Sequence, residues 1–184
     1  MRKILLTSAG FENKNIERLF FGLLEKQPSC IKVLFVPTAA IDADAIAVLP
    51  KCMNDLLNAG IPANSITVYD LHEKMDFVSL QEYDVIYFCG GNTKHLLSRI
   101  NENGFNKVLE QFVNQAGIYV GVSAGSVIAT KSIPENLGYI NCTINVHQSI
   151  GSMSGIIDTT ECPHIDLTNN QAILITDTEC RIIE

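Results

Sequence analysis

The sequence predicts an α/β fold: a three-layer sandwich on a mostly parallel sheet, with an antiparallel extension towards the C-terminus. Through about residue 130, short apolar runs alternate with segments of helical periodicity, which is typical of βαβ units. Beyond about residue 132, the apolar runs follow one another without helical segments between them. No linker, repeat or charge run divides the chain, so we expect a single domain over residues 1–184.

Each element depends on a local pattern. Strands are predicted where a short apolar run ends at small or turn-forming residues, at 3–7, 32–36, 65–69, 84–89 and 118–122. Helices are predicted where apolar residues recur with helical spacing, at 15–26, 42–59, 93–100, 104–115 and 124–130. Asp42 is a suitable N-cap for the second helix, in which Pro50 should cause a break or kink. The later strands are expected at 139–146, 156–162, 172–176 and 181–183, with a loop at 151–155.

Composition narrows the possible partners and the cellular location. Thirteen basic and 20 acidic residues give a net charge of −7, which disfavours nucleic acid and anionic membrane surfaces as partners. The six cysteines show no Cys-x-x-Cys spacing, so we expect reduced thiols rather than a disulfide framework or a zinc site. No apolar stretch is long enough for a signal peptide or a membrane span, and a soluble, cytoplasmic protein is expected. The sequence implies no metal or organic cofactor and leaves open whether the chain forms a homodimer.

The strongest chemical signal is the segment Gly121-Val122-Ser123-Ala124-Gly125. It satisfies Gly-x-Ser-x-Gly between a predicted strand and a predicted helix, which is the context of a nucleophile elbow. A sharp turn there would lift the hydroxyl of Ser123 out of the sheet, and the flanking glycines would relieve crowding. The N–H of Ala124 would then point to where an oxyanion forms, beside the positive end of the helix.

The glycine pair after the neighbouring strand predicts a second oxyanion donor. Gly90 and Gly91 would bring a backbone N–H next to the elbow. A phosphate-cradling turn, or simple helix capping by Asn92 or Thr93, is the alternative interpretation. Because the segment lacks both Gly-x-Gly-x-x-Gly and a P-loop lysine, nucleotide binding is weakly supported.

A serine nucleophile needs a general base, and the chain has four histidines. His72 follows the third predicted strand and could reach the same rim, whereas His95 lies in the first turn of a helix. Order along the chain favours His147 or His164, since hydrolases of this kind often place the histidine after the serine. Of the two, His164 is preferred because Pro163 fixes the backbone just before it.

The third catalytic group is open from the residues alone. An acid should orient the imidazole and support its cationic form. The downstream candidates are Glu135, Asp158, Glu161 and Asp166. Asp166 lies two residues after His164, where a strand would place both side chains on one side.

These features resemble the aspartyl dipeptidase (dipeptidase E) family of serine peptidases, which also includes cyanophycinase-like enzymes. The motifs are Thr7-Ser8-Ala9-Gly10, Phe35-Val36-Pro37-Thr38-Ala39, Tyr87-Phe88-Cys89-Gly90-Gly91-Asn92-Thr93, Gly121-Val122-Ser123-Ala124-Gly125-Ser126 and Pro163-His164. The resemblance implies a flavodoxin-like sandwich similar to class I glutamine amidotransferases, with Ser where those carry Cys. It also implies Ser123 as nucleophile and His164 as base. By the same likeness, the N–H groups of Gly91 and Ala124 form the oxyanion hole.

The chain departs from this family in two places. The dipeptidases carry an Asp in the loop after the elbow helix, where residues 131–136 offer only Glu135 as an acid. Specificity for an N-terminal aspartyl residue also needs a cation, and residues 165–171 hold no Arg or Lys; Lys94, Arg99 or Lys131 would have to supply it. We therefore expect a serine peptidase that acts on a small peptide or amide bond. The alternatives are an inactive amidotransferase-like binding module and an esterase or amidase of a small metabolite.

Overall fold

The computed structural model describes all 184 residues, with ten strands and six α-helices. The strands are β1 (Lys3–Thr7), β2 (Val33–Val36), β3 (Ile66–Val68), β4 (Val85–Phe88), β5 (Ile118–Val122), β6 (Thr143–Asn145), β7 (Gly155–Ile156), β8 (His164–Asp166), β9 (Ala172–Ile175) and β10 (Cys180–Ile183). The helices are α1 (Lys14–Leu23), α2 (Ala43–Asn58), α3 (Phe77–Leu80), α4 (Thr93–Glu102), α5 (Phe105–Asn114) and α6 (Ala124–Val127). None of these helices is both long and apolar enough to span a bilayer.

Eight strands form one sheet in the order β3-β2-β4-β5-β1-β9-β10-β7. The first five pair in parallel, whereas β9, β10 and β7 join through antiparallel ladders. The predicted mostly parallel sheet with an antiparallel C-terminal extension is therefore confirmed. Strands β6 and β8 pair in parallel as a separate two-stranded sheet, in the register Thr143 to His164 and Asn145 to Asp166.

Apolar side chains cover both faces of the large sheet, as parallel strands require. Along β1, Ile4 and Leu6 face a cluster that includes the buried residues of α4 and α5, whereas Leu5 faces the opposite cluster with those of α1 and α2. This alternation makes three layers, with the sheet in the middle. The carboxyl ends of β1, β4 and β5 come together at one edge of the sheet, where ligands bind in open α/β folds.

The structure differs from the predicted elements in several places. Helix α2 begins after the predicted N-cap Asp42, but it continues through Pro50, so the predicted break is wrong. The proline ring faces solvent, and burial of Cys52 and Leu56 on the other face holds the helix together. The strand predicted at 156–162 ends at Ile156, because the carboxylate of Asp158 accepts hydrogen bonds from the N–H and the hydroxyl of Thr160 and forms a turn. The short helix α3 and strand β8 were not predicted. Strand β6, expected in the antiparallel extension, instead pairs in parallel with β8 outside the large sheet.

Candidate active site

The turn that follows β5 has the backbone of a nucleophile elbow. Ser123 adopts φ 50° and ψ −106°, a conformation that costs a non-glycine residue about 1–3 kcal/mol. Its N–H donates to the carbonyl of Thr7 at 3.0 Å, and the hydroxyl of Ser126 donates to the carbonyls of Thr7 and Gly121 at 2.7 and 2.9 Å. These bonds tie the turn to the end of β1 and hold Ser123 in its strained conformation.

The two glycines of the motif are required by contacts on both sides of the turn. A Cβ atom on Gly121 would lie 2.5 Å from the carbonyl oxygen of Gly125. A Cβ on Gly125 would lie 2.7 Å from both the Cβ and the carbonyl oxygen of Phe88 in β4. The spacing of glycines around Ser123 therefore follows from close packing of the elbow against itself and against the neighbouring strand.

The structure places His147, and not His164, beside the nucleophile. Nε2 of His147 lies 2.9 Å from Oγ of Ser123. His147 follows β6 by two residues and has a φ of 60°, and its N–H donates to the hydroxyl of the buried Ser8 at 2.7 Å. This backbone bond anchors His147 to the loop after β1, which adjoins the elbow.

The prediction of His164 as the partner of Ser123 therefore needs correction. His164 begins β8, and Nδ1 lies 2.8 Å from Oγ1 of Thr143 on the neighbouring strand. Its Nε2 lies 3.0 Å from the amide of Asn145 and 3.2 Å from the carboxylate of Asp166. Both ring nitrogens are used within the two-stranded sheet, so His164 joins β6 to β8 rather than contacting Ser123.

The group that contacts the far side of the imidazole is an amide. Oδ1 of Asn169 lies 2.8 Å from Nδ1 of His147, in the turn between β8 and β9. Nδ1–H then donates to the amide, and the lone pair of Nε2 faces the hydroxyl of Ser123. Neither predicted acid has this position: Glu135 is exposed and forms no hydrogen bond, and the carboxylate of Asp166 bonds to Asn145 and His164.

Local sequence signals could not separate these candidates. Residues 143–146 alternate in polarity, so they predict a strand just before His147. His164 likewise follows a predicted strand, with Pro163 before it. An asparagine between two strands is an ordinary turn residue, and nothing around Asn169 marks it as a partner of histidine. Only the pairing of β6 with β8 brings the two side chains together.

Two predicted oxyanion donors lie at the same edge. Gly91 has a φ of 134°, and a Cβ there would lie 2.2 Å from the carbonyl oxygen of Ala39. Its N–H donates to no other group of the chain, and the N–H of Ala124, first in its helix, has no intrahelical acceptor. A Cβ on Gly90 would lie 3.1 Å from that of Ser123, which places the glycine loop directly against the nucleophile.

A cavity of about 360 Å³ opens beside Ser123 and His147. Its other walls are the loop after β1, the first half of α2 and the Gly90-Gly91 loop. The remaining charged residues in its lining are Asp42, Asp44 and Lys51. This volume lies near the lower end of the range of about 300–1,000 Å³ found for ligand pockets.

The loop after β1 is held by a half-buried carboxylate. Asp55 of α2 accepts the N–H of Phe11 at 2.9 Å and the hydroxyl of Tyr87 at 3.0 Å. Burial raises the pKa of the Asp55 carboxyl, and these two hydrogen bonds act in the opposite direction. A Cβ on Gly10 would lie 2.2 Å from the same carboxylate, so the close packing of the loop needs glycine at this position.

Comparison with known proteins identifies the family. The sequence profile described as Peptidase family S51 matches residues 4–176. The chain belongs to peptidase family S51. The match covers nearly the whole chain, including the elbow, His147 and His164.

Individual relatives in family S51 share about a quarter to a third of their residues with this chain over the matched segments. An uncharacterized peptidase of Pasteurella multocida is 26% identical over 135 residues, which is 72% of this chain and 62% of that protein. A Drosophila melanogaster protein named probable alpha-aspartyl dipeptidase is 36% identical over 135 residues, which is 71% of this chain and 53% of that protein. The chain thus matches about half to three fifths of the length of these relatives.

Two solved structures share the fold. A Listeria monocytogenes protein provisionally named peptidase E superposes with a TM-score of 0.78 at 20% identity, over 100% of this chain and 98% of that chain. A peptidase from an acI-B1 actinobacterium superposes with a TM-score of 0.70 at 16% identity, over 100% and 87%. The three-layer α/β fold is therefore the fold of these two proteins.

Proposed function

We propose that the chain is a serine peptidase that hydrolyses short peptides or small amides through Ser123 and His147. The observation that carries the proposal is the 2.9 Å contact between Nε2 of His147 and Oγ of Ser123 at the elbow. This distance is within hydrogen-bond reach of a nucleophile and its base. Membership of family S51 supports peptide-bond hydrolysis as the reaction.

The mechanism follows from the positions of these groups. Nε2 of His147 takes the proton of Ser123 as Oγ attacks the carbonyl carbon, and Asn169 holds the ring in the required tautomer. The N–H groups of Gly91 and Ala124 donate to the oxyanion. His147 then gives its proton to the leaving amine, and water releases the acyl group from Ser123 by the reverse sequence.

The experiment is labelling with a fluorophosphonate probe, read by intact mass. We expect one adduct on the wild type, none on Ser123→Ala and a large loss of labelling rate in His147→Ala. His164→Gln keeps a hydrogen-bonding side chain at Thr143 and should still label. His95→Gln, at a half-buried position of α4 that does not line this cavity, is the control for a histidine outside it.

Two results would contradict the proposal. Labelling that survives in His147→Ala but disappears in His164→Gln would return the base to His164. No labelling of folded wild type would favour an inactive binding module. A panel of esters and short peptides then separates a peptidase from an esterase or amidase, which shares the machinery but differs in the leaving group.

The wider organisation is also part of the proposal. We infer that residues 1–184 act as one peptidase-like domain, which is supported by a sheet that joins β1 to β9 and β10. A cytoplasmic location is supported by the burial of Cys89 and Cys142 as thiols in the apolar clusters. The partner expected is a small peptide or amide substrate, and a homodimer stays a prediction.

A further inference from the structure

We infer that the cavity beside Ser123 selects short peptides with a free α-ammonium group and an uncharged, apolar N-terminal side chain, and that it discriminates against N-terminal aspartate. This inference rests on the proposed function, since it names the substrate class of the same site. The observation behind it is the charge of the cavity lining, which is opposite to what an aspartyl side chain needs.

The two acidic residues of the lining form no ion pair. Asp44, in the first turn of α2, is exposed and has no ion pair or hydrogen-bond partner in the structure. Asp42 caps the same helix by accepting the N–H of Ala45 at 2.9 Å, so its charge is partly offset by the helix end. Both residues line the cavity that holds Ser123.

The single lysine of the lining is already engaged. Nζ of Lys51 forms an ion pair with Glu12 and donates to the carbonyl of Ala9 at 3.1 Å. Counting Glu12 with its partner, the charged groups around the cavity sum to two negative charges. A peptide carboxylate that entered would have to compete with Glu12 for Lys51.

Other cations that could bind an aspartyl side chain lie elsewhere. Arg99 donates to the carbonyl of Leu71 at 3.0 Å, pairs with Glu102 at 3.5 Å and lines a different cavity. Lys94 and Lys131 are also absent from the lining of the cavity at Ser123. The cations that aspartyl specificity would require are therefore not placed to supply it.

The rest of the lining is suited to an apolar side chain. Ala45, Val48 and Leu49 of α2 face the cavity, and Val122 lies beside the nucleophile. An apolar N-terminal side chain can bury surface against these residues, and the α-ammonium group is attracted to the carboxylates at the start of α2. A second carboxylate would instead lose hydration and meet like charge.

The test compares three dipeptides that differ only in the first side chain: leucyl-leucine, asparaginyl-leucine and aspartyl-leucine. The rate at which leucine is released from each dipeptide is measured by chromatography and gives kcat/KM. Asparagine and aspartate have the same shape, so their ratio isolates charge. We expect kcat/KM for asparaginyl-leucine to exceed that for aspartyl-leucine by at least about tenfold, with leucyl-leucine higher still.

Two variants assign the effect to residues. Asp44→Asn should shrink the asparaginyl-to-aspartyl ratio severalfold and raise KM for leucyl-leucine. Asp42→Asn keeps an N-cap side chain and should act in the same direction. Glu82→Gln removes one exposed negative charge before β4, at the opposite edge of the sheet, and should leave the ratio unchanged.

The outcomes separate this inference from the proposed function. A preference for aspartyl-leucine, or a ratio that does not respond to Asp44→Asn, overturns the substrate class while fluorophosphonate labelling of Ser123 still supports the nucleophile. Labelling of Ser123 without cleavage of any of the three dipeptides also overturns it. Absence of both labelling and cleavage overturns the proposed function and this inference with it.

Discussion

Changing Asn169 to aspartate or to alanine tests how much the neutral amide contributes to the proposed reaction. The imidazole of His147 becomes positively charged as Ser123 attacks, and Asn169 supports it with a hydrogen bond of 2.8 Å but no charge. Asn169→Asp should introduce a carboxylate in the same place. With charge centres about 4 Å apart, the attraction is about 1 kcal/mol in water and about 4 kcal/mol at an effective dielectric constant of 20.

Both side chains are exposed, so the lower part of that range applies. We expect about 1–2 kcal/mol of added stabilisation of the transition state, or about a 5- to 30-fold rise in kcat/KM on the alkaline plateau. The carboxylate also favours the protonated imidazole, so the acid limb of the pH–rate profile should move to higher pH. Asn169→Ala loses one hydrogen bond and should lower the rate about two- to tenfold.

The assay is the rate of fluorophosphonate labelling of Ser123 from pH 5 to 9, with peptide hydrolysis once a substrate is in hand. Thermal unfolding of each variant reports whether the turn between β8 and β9 has been damaged. An acid limb that stays in place in Asn169→Asp, with rates no higher than those of Asn169→Ala, would refute the assignment of Asn169 to the imidazole.

Two further predictions concern the packing and charge that support the site. Gly125→Ala would place a Cβ 2.7 Å from Phe88 and should lower the free energy of unfolding by about 1–3 kcal/mol. Gly22→Ala, whose Cβ would have nothing within 4 Å, should raise the free energy of unfolding by about 0.5–1 kcal/mol. Urea denaturation measures both values, and equal effects would refute the contact argument. Burial raises the pKa of Asp55, so the contribution of this residue to stability is present at acid pH and is lost as pH rises through that pKa. The free energy of unfolding of Asp55→Asn should therefore rise relative to that of the wild type from about pH 4 to pH 7. A difference between the two free energies that stays constant over this range would contradict the direction of the pKa shift.

The parts of the fold that sequence reasoning predicted are those set by local patterns. The parallel strands are continuous apolar runs, and the elbow combines a glycine pattern with a strand-to-helix turn. The contacts of Gly121 and Gly125 supply the steric reason for that pattern. These features depend on neighbours along the chain, and periodicity and turn chemistry describe such neighbours well.

The partner of Ser123 could not be predicted in the same way. In the sequence, His147 and His164 each follow a predicted short strand after the elbow, and Pro163 favoured His164 because it fixes the backbone before it. Which imidazole reaches the serine depends on the register between β6 and β8, a pairing across about 20 residues of chain. The contact from Asn169 depends on that register and on the turn into β9, and neither leaves a local signature.

The two-stranded sheet of β6 and β8 has a consequence for how activity would fail under stress. Base and orienting amide both extend from this small sheet of three-residue strands, whereas Ser123 belongs to the eight-stranded sheet. Small sheets open at lower free energy than buried central strands. Sub-global opening of β6 and β8 would separate the imidazole from the hydroxyl while the eight-stranded sheet stays folded. Loss of activity on heating would then precede loss of the fold, and recovery on cooling would need only the closing of this pair.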